Sequence, residues 1–265
     1  MTINRGAPLA SVGLAAVMAA CSSGSGGNGS TVQPASTGSP ACSACDDGGS
    51  PTPTAAGTNP TPTAAGANPD GIPYPSPATG YGRSTRSGST PGSIIANFKF
   101  SGYPNAVVSP QLQPIAMADY YDPCGQRYKL IHLTVGALWC PPCNQETDAI
   151  EAAKQQLDSE GVVVLQALED GNSQNVGATQ TDLNNWIAKH HTTFTEMLDP
   201  DPNPQLGIFF MQASIPWNGD IDPRTMEILD SSPGWTGDIA SELAPALAAV
   251  QGAPSYPLPA ACNDL

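Results

Sequence analysis

Residues 130–146 read LIHLTVGALWCPPCNQE. The first eight, Leu130 to Ala137, form a near-continuous apolar run, the pattern of a central strand covered on both faces. After it comes Trp139-Cys140-Pro141-Pro142-Cys143, and then a helix expected over 143–159, with Ile150, Ala153 and Leu157 on one face and Gly161 as its C-terminal cap. Two cysteines at i and i+3 therefore fall at a helix mouth, where the dipole is positive and free backbone N–H groups stabilise a thiolate. The prolines suit the first turn, where a missing N–H costs little. Cys140, expected to be the more exposed of the two, is placed to attack a disulfide. Cys143, one turn inside, is placed to displace the product and close Cys140–Cys143.

The segments downstream alternate. Val162 to Leu168 is a second buried strand, and Thr181 is expected to cap a helix with Leu183, Trp186 and Ile187 on one side. A third strand follows around Thr193–Leu198, then a rigid Asp-Pro-Asp-Pro-Asn-Pro loop at 199–204 and a short helix over 205–212. Pro216–Ile221 and Thr225–Leu229 read as two strands joined through Asp222 and Pro223. Asp238–Val250 is a helix with Ile239, Leu243, Leu247 and Val250 inward, kinked at Pro245. Ahead of the central strand, Ile94–Phe100 and Ile115–Tyr121 are short strands or turns. Parallel βαβ units followed by an antiparallel pair predict a three-layer α/β domain with a mixed central sheet over 93–265.

The strand-Trp-Cys-x-x-Cys-helix arrangement resembles the thioredoxin superfamily. Cys143-x-x-Glu146, with the strand-like lead-in from Phe98 to Tyr121, is similar to its extracytoplasmic TlpA/ResA branch. Ser214-Ile215-Pro216-Trp217, opening the hairpin, matches that family's cis-proline loop. The resemblance covers about residues 94–250. It implies a thiol-disulfide oxidoreductase, a cis Ile215–Pro216 bond beside the dithiol and Trp139, and an Ile215 backbone that pairs an incoming peptide. It leans towards a reductase of protein disulfides fed by a membrane electron donor. Thr134 stands where cytosolic thioredoxins carry a buried Asp, so the proton acceptor for Cys143 must be another group. Glu146 is the nearest in sequence, although an exposed first-turn acid favoured by the dipole is an equal reading. A protein that keeps the fold as a redox-inert binding or scaffold module is the alternative of another class.

Of the chain's 7 cysteines, Cys42 and Cys45 form a second C-x-x-C, which reads as a local disulfide loop. Joined to Cys140 and Cys143 they would supply four zinc ligands, but 94 residues separate the pairs, against roughly 15–20 in zinc ribbons. The peroxidatic and copper-chaperone cysteine patterns do not match either. His132 reads as a core residue, and His190 and His191 as helix-end cations. No metal or cofactor is expected. Cys124 and Cys262 remain; parity suggests the pairs 42–45, 140–143 and 124–262, the last a structural disulfide, among the fifteen connectivities six thiols allow.

The N-terminal third is different material. Arg5 followed by the apolar run Pro8 to Ala20 is too short to span a membrane, which takes roughly 20 apolar residues. It ends in Val17-Met18-Ala19-Ala20-Cys21, which resembles a bacterial lipoprotein signal (residues 1–20) with lipidation at Cys21, although Met18 departs from the usual Leu. Ser22 rather than Asp then implies the outer membrane where the host has two. Residues 21–92 are expected to be a disordered linker. They are dense in the chain's 27 Gly and 28 Pro, carry the repeat PTPTAAGTN/PTPTAAGAN at 51–68, and have as large apolar residues only Val32, Ile72, Tyr74 and Tyr81. Three basic residues (Arg5, Arg83, Arg86) cancel three acidic ones (Asp46, Asp47, Asp70) in this part, so the whole net charge of −14 falls on 93–265. That excludes a nucleic-acid or anionic-membrane surface. It permits a cationic partner without implying one.

Overall fold

The structure, a computed structural model, describes residues 66–75, 89–210, 214–253 and 257–264. The signal segment, Cys21 and the Cys42/Cys45 pair lie outside these residues. In chain order the regular elements are β1 (Lys99–Tyr103), β2 (Gln113–Ala116), β3 (Leu130–Ala137), α1 (Pro141–Glu160), β4 (Val162–Asp170), α2 (Gln180–His190), β5 (Thr195–Leu198), α3 (Gly207–Phe210), β6 (Trp217–Asp222), β7 (Glu227–Pro233) and α4 (Ile239–Gln251). The strands form one mixed sheet of order β2-β1-β5-β4-β3-β6-β7. β3, β4 and β5 run parallel; β1 and β6 flank them antiparallel, and β2 and β7 close the edges.

Local chemistry explains most boundaries. α1 begins at Cys140 as N-cap and ends at Gly161, whose φ of 79° is the left-handed conformation that a C-terminal cap requires. α2 is capped by Thr179 rather than Thr181. The Thr179 hydroxyl accepts from the Asp182 N–H while the Asp182 carboxylate accepts from the Thr179 N–H, a reciprocal box that Thr181 has no partner to make. α4 starts after Asp238, whose side chain accepts from the Ser241 N–H, and contains Pro245. β7 extends to Pro233, past the expected Leu229.

The strand period of two sorts β3 into two faces. Leu130, His132, Thr134 and Gly136 face α1, α2 and α4, where Leu130 packs with Ile150, Leu157, Leu243 and Val250. Ile131, Leu133 and Val135 face the other way, against Ile94, Phe100, Tyr121, Trp217 and Ile228. The layer on that second face is mostly irregular chain, with α3 its one α-helix among the described residues.

Part of that layer comes from the expected linker, which is a correction to the 21–92 boundary. In residues 66–75, Ala67 bridges Pro73, the Asn68 side chain donates to the Tyr121 carbonyl (3.1 Å), and the Tyr74 hydroxyl donates to the Ile95 carbonyl (2.9 Å). Ile72 is 3% exposed within the main apolar cluster. Ile72 and Tyr74, two of the linker's four large apolar residues, supply the burial that offsets the cost of ordering this stretch. Among the described residues no helix is long and apolar enough to cross a membrane.

Candidate active site

The dithiol sits at the mouth of α1. Cys140 and Cys143 are joined as a disulfide, and the Cys143 N–H donates to Cys140 Sγ at 3.2 Å, so the first free amide of the helix already points at the sulfur that would carry charge. The Asn144 side chain donates to the Cys140 carbonyl at 2.7 Å, and Thr147 Oγ1 to the Cys143 carbonyl at 2.9 Å. Gly136 lets the strand approach: a Cβ built there would lie 3.2 Å from that of Cys143.

Both cysteines are buried, at 1% and 0% exposure. In this disulfide form neither sulfur is open to solvent, and Cys140 exceeds Cys143 in exposure only marginally. Cys140 and Cys143 lie in an apolar cluster with Leu168 and Trp186, flanked by Leu138, Trp139 and Ile215. The Ile215–Pro216 peptide bond is cis, and the Ile215 carbonyl lies 3.9 Å from Cys140 Sγ. With sulfur in a disulfide there is no thiol proton, so this is a contact rather than a hydrogen bond. Trp139 is fixed from the other side by its Nε1–H, which donates to Asp170 Oδ2 at 3.0 Å.

The polar residues beneath the dithiol form a row across three strands. Thr134 on β3 is in register with Gln166 on β4 and Asn218 on β6, and His132 with Asp220. Glu146 from α1 lands on this row. It is fully buried, and its carboxylate accepts from Thr134 Oγ1 at 3.0 Å and Asn218 Nδ2 at 2.6 Å. The alternative of an exposed first-turn acid is thereby overturned: α1 turns this face towards the sheet, and two donors await it. Burial lifts the Glu146 carboxyl to about 7, against the opposing pull of His132 and of the hydrogen bonds from Asn218 and Thr134. His132 is buried with Nδ1 at 2.9 Å from Asp220 Oδ1. Burial works against its charge, but Asp220, with Glu146 and Glu242 beyond, prevails and raises its pKa. Gln166 joins α1 and α2, its Nε2 donating to Thr147 Oγ1 (2.8 Å) and its Oε1 accepting from Trp186 Nε1 (2.9 Å).

The dithiol at a helix mouth behind a buried parallel strand, faced by a cis-proline loop that opens an antiparallel hairpin, is the arrangement the sequence resemblance implies. The fold is thioredoxin-like. No protein-family model matches the chain, and no curated protein matches it. Solved structures do. One is a thiol:disulfide interchange protein, DsbE, from Chlorobium tepidum, at 17% identity and a TM-score of 0.44, covering 61% of this chain and 98% of that one. AhpC of Enterococcus faecalis gives 15% and 0.45 over 64% of this chain and all of its own. An exposed lipoprotein thioredoxin of Streptococcus pneumoniae gives 23% and 0.39, over 56% of this chain and 98% of its own.

Of the residues singled out by sequence, Cys140, Cys143, Trp139, Ile215, Pro216 and Glu146 thus gather around one thioredoxin-like dithiol. Cys124 and Cys262 stand apart from it, joined as a disulfide with Cα atoms 5.5 Å apart. Neither His190, held by Asp148 (2.6 Å) and Asn144 (3.1 Å), nor His191 reaches the dithiol's polar row. The residues sequence reasoning missed are His132 as an ion-paired group, Gln166, Asp170, Asn218 and Asp220. Only part of their signal was local: His132 and Thr134 on β3, and Asn218 and Asp220 on β6, stand two apart on one face, whereas Gln166 on β4 sits among apolar neighbours.

Proposed function

We propose that the protein is an extracytoplasmic thiol-disulfide oxidoreductase, tethered by a lipid on Cys21 and working as a reductase of protein disulfides in the TlpA/ResA manner. The observation that carries this reading is the Cys140–Cys143 pair at the mouth of α1, with the Ile215 carbonyl at 3.9 Å and a buried acid, Glu146, one turn further along the helix. The lipobox-like run ending at Cys21 supports the location and the anchor. Cys143-x-x-Glu146 supports the branch and the direction of electron flow.

In the reduced protein, the Cys140 thiolate attacks one sulfur of a substrate disulfide. A Cys140–substrate bond forms, the substrate S–S bond breaks, and the departing thiolate takes a proton from solvent. Glu146, ionised above pH about 7, accepts the Cys143 proton, and the Cys143 thiolate attacks Cys140 Sγ. The mixed disulfide breaks, the second substrate thiolate leaves and is protonated, and two electrons have passed to the substrate as Cys140–Cys143 closes. The backbone of Ile215 holds the substrate chain alongside. A dithiol donor at the membrane then reduces Cys140–Cys143 by two further exchanges through its own mixed disulfide and is left as a disulfide, restoring the two thiols.

A Cys143→Ser variant cannot resolve, so it is expected to accumulate mixed disulfides through Cys140 that a reductant releases. A redox-inert scaffold would give none. Recovery of the variant with a free, unadducted Cys140 from oxidising medium that contains its exported protein partners would overturn the reading.

A further inference from the structure

β4 ends in Glu169 and Asp170, and the proline-rich loop after β5 brings Asp201 against them. One carboxylate oxygen from each of the three lies within 4.8 Å of the others. Two oxygens on opposite sides of an ion bound at about 2.4 Å are about 4.8 Å apart, so the spacing is that of ligands sharing one cation. Asp170 is 2% exposed. Its Oδ2 accepts from Trp139 Nε1 (3.0 Å) and the Asn175 N–H (2.9 Å), while its Oδ1 is buried without a hydrogen-bond partner. Glu169 Oε2 is likewise buried and unpartnered. Among the described residues none of the three acids forms an ion pair. Orphaned buried oxygens are rare because they forfeit their solvation without return, and three adjacent carboxylates add repulsion.

We propose that Glu169, Asp170 and Asp201 form a calcium site that ties the end of β4 and the 199–204 loop to Trp139 beside the dithiol. Hard, all-oxygen donors select alkaline-earth ions over soft metals. An irregular set from a strand end and a loop suits calcium's variable shell of 6–8 oxygens better than the near-ideal octahedron of magnesium. A cleft of about 350 Å³, lined by Trp139, Glu169, Asn175, Asp201 and Ile215, gives the ion and its waters a way in. The mutual repulsion is visible in Glu169, whose carboxyl burial and then Asp170, Asp201 and Asp199 lift to about 7. A cation removes it. The net charge of −14 makes an approaching cation welcome. The site does not depend on the thiol chemistry proposed above.

The test uses the full chain at pH 7.5, freed of metal, with calcium, magnesium and terbium as probes. Calcium is expected to raise Tm by roughly 5–10 °C at about 100 times its Kd, with magnesium giving less. Terbium is expected to luminesce on tryptophan excitation, because Trp139 touches the site, and calcium to quench that signal by displacement. Asp201→Asn should remove the calcium response and weaken terbium binding by about tenfold or more. It should also raise Tm of the metal-free protein, since it removes a repelling charge; Glu169→Gln repeats the pattern at a second residue. The Cys140→Ser/Cys143→Ser double variant should keep the calcium response, which separates this result from any failure of the redox reading. No calcium-dependent shift up to about 10 mM, well above the weakest extracellular sites, would overturn the proposal. So would an equal shift in wild type, Asp201→Asn and Glu169→Gln.

Discussion

Cys140–Cys143 and Cys124–Cys262 are two disulfides in one domain with almost nothing else in common. The first spans 3 residues of sequence and the second 138. The first is buried, yet it has a free helix amide at 3.2 Å from sulfur, a carbonyl at 3.9 Å and ionisable groups beneath it. The second is half-buried against the main apolar cluster, and the buried acid nearest it in sequence, Asp122, is taken up by the Arg127 and Tyr128 amides. On the proposed function, exposure is thus the wrong guide to which bond exchanges. What distinguishes them is whether the surroundings stabilise a thiolate and hold a place for a substrate chain.

The largest contrast should be in turnover. Cys140→Ser is expected to abolish reduction of a protein disulfide such as that of insulin, while Cys262→Ser leaves the rate within a factor of about two and lowers stability instead. Opening a loop of 138 residues costs up to about 5 kcal/mol in the chain-entropy account. Denaturant titration of the two variants checks both halves. Equal stabilities for wild type and Cys262→Ser would remove the structural role.

Ile72 belongs to the cluster that Cys124 and Cys262 pack against, so Ile72→Ala should behave like the structural bond: a loss of about 2–4 kcal/mol with turnover unchanged. A loss below about 0.5 kcal/mol would mean that residues 66–75 do not dock and that the linker runs unbroken to the domain.

A smaller and pH-dependent effect is expected from the group beneath the active dithiol. The Glu146 carboxyl is raised from 4.5 to about 7, mainly by burial. An acid whose folded pKa is raised stabilises the fold fully below its unfolded value and loses that contribution as pH rises through the folded one. The stability of the oxidised wild type relative to Glu146→Gln should therefore fall by up to about 3 kcal/mol between pH 4.5 and 8. Urea titrations at both pH values read the difference, and parallel profiles would mean that Glu146 does not titrate in this window.

Much of this was legible from residues 130–146 and 214–217. An apolar strand, a Cys pair and a helical stripe in immediate succession fix where the dithiol lies, because each signal is local. The caps were less so: Thr179 and Thr181 are both good cap residues, and only the reach of Asp182 back to Thr179 decides between them. The docking of Ile72 was hidden because a single isoleucine in a Gly/Pro-rich stretch has no periodicity to show it. The polar row was hidden for a different reason. His132, Gln166 and Asp220 lie on separate strands, and it is the register of β3 with β4 and β6 that makes them neighbours. Asp170 and Asp201 meet only because the loop after β5 folds back over the end of β4.

The most direct measurement is the rate of alkylation of each active-site thiol in the reduced protein as a function of pH, with the modified cysteine identified by peptide mapping. Cys140 is predicted to titrate clearly below the free-thiol value of about 8.5, and Cys143, one turn inside and above a buried acid, at or above it. A Cys140 midpoint at about 8.5 or higher would contradict an activated nucleophile at the mouth of α1, and with it the redox reading of the fold.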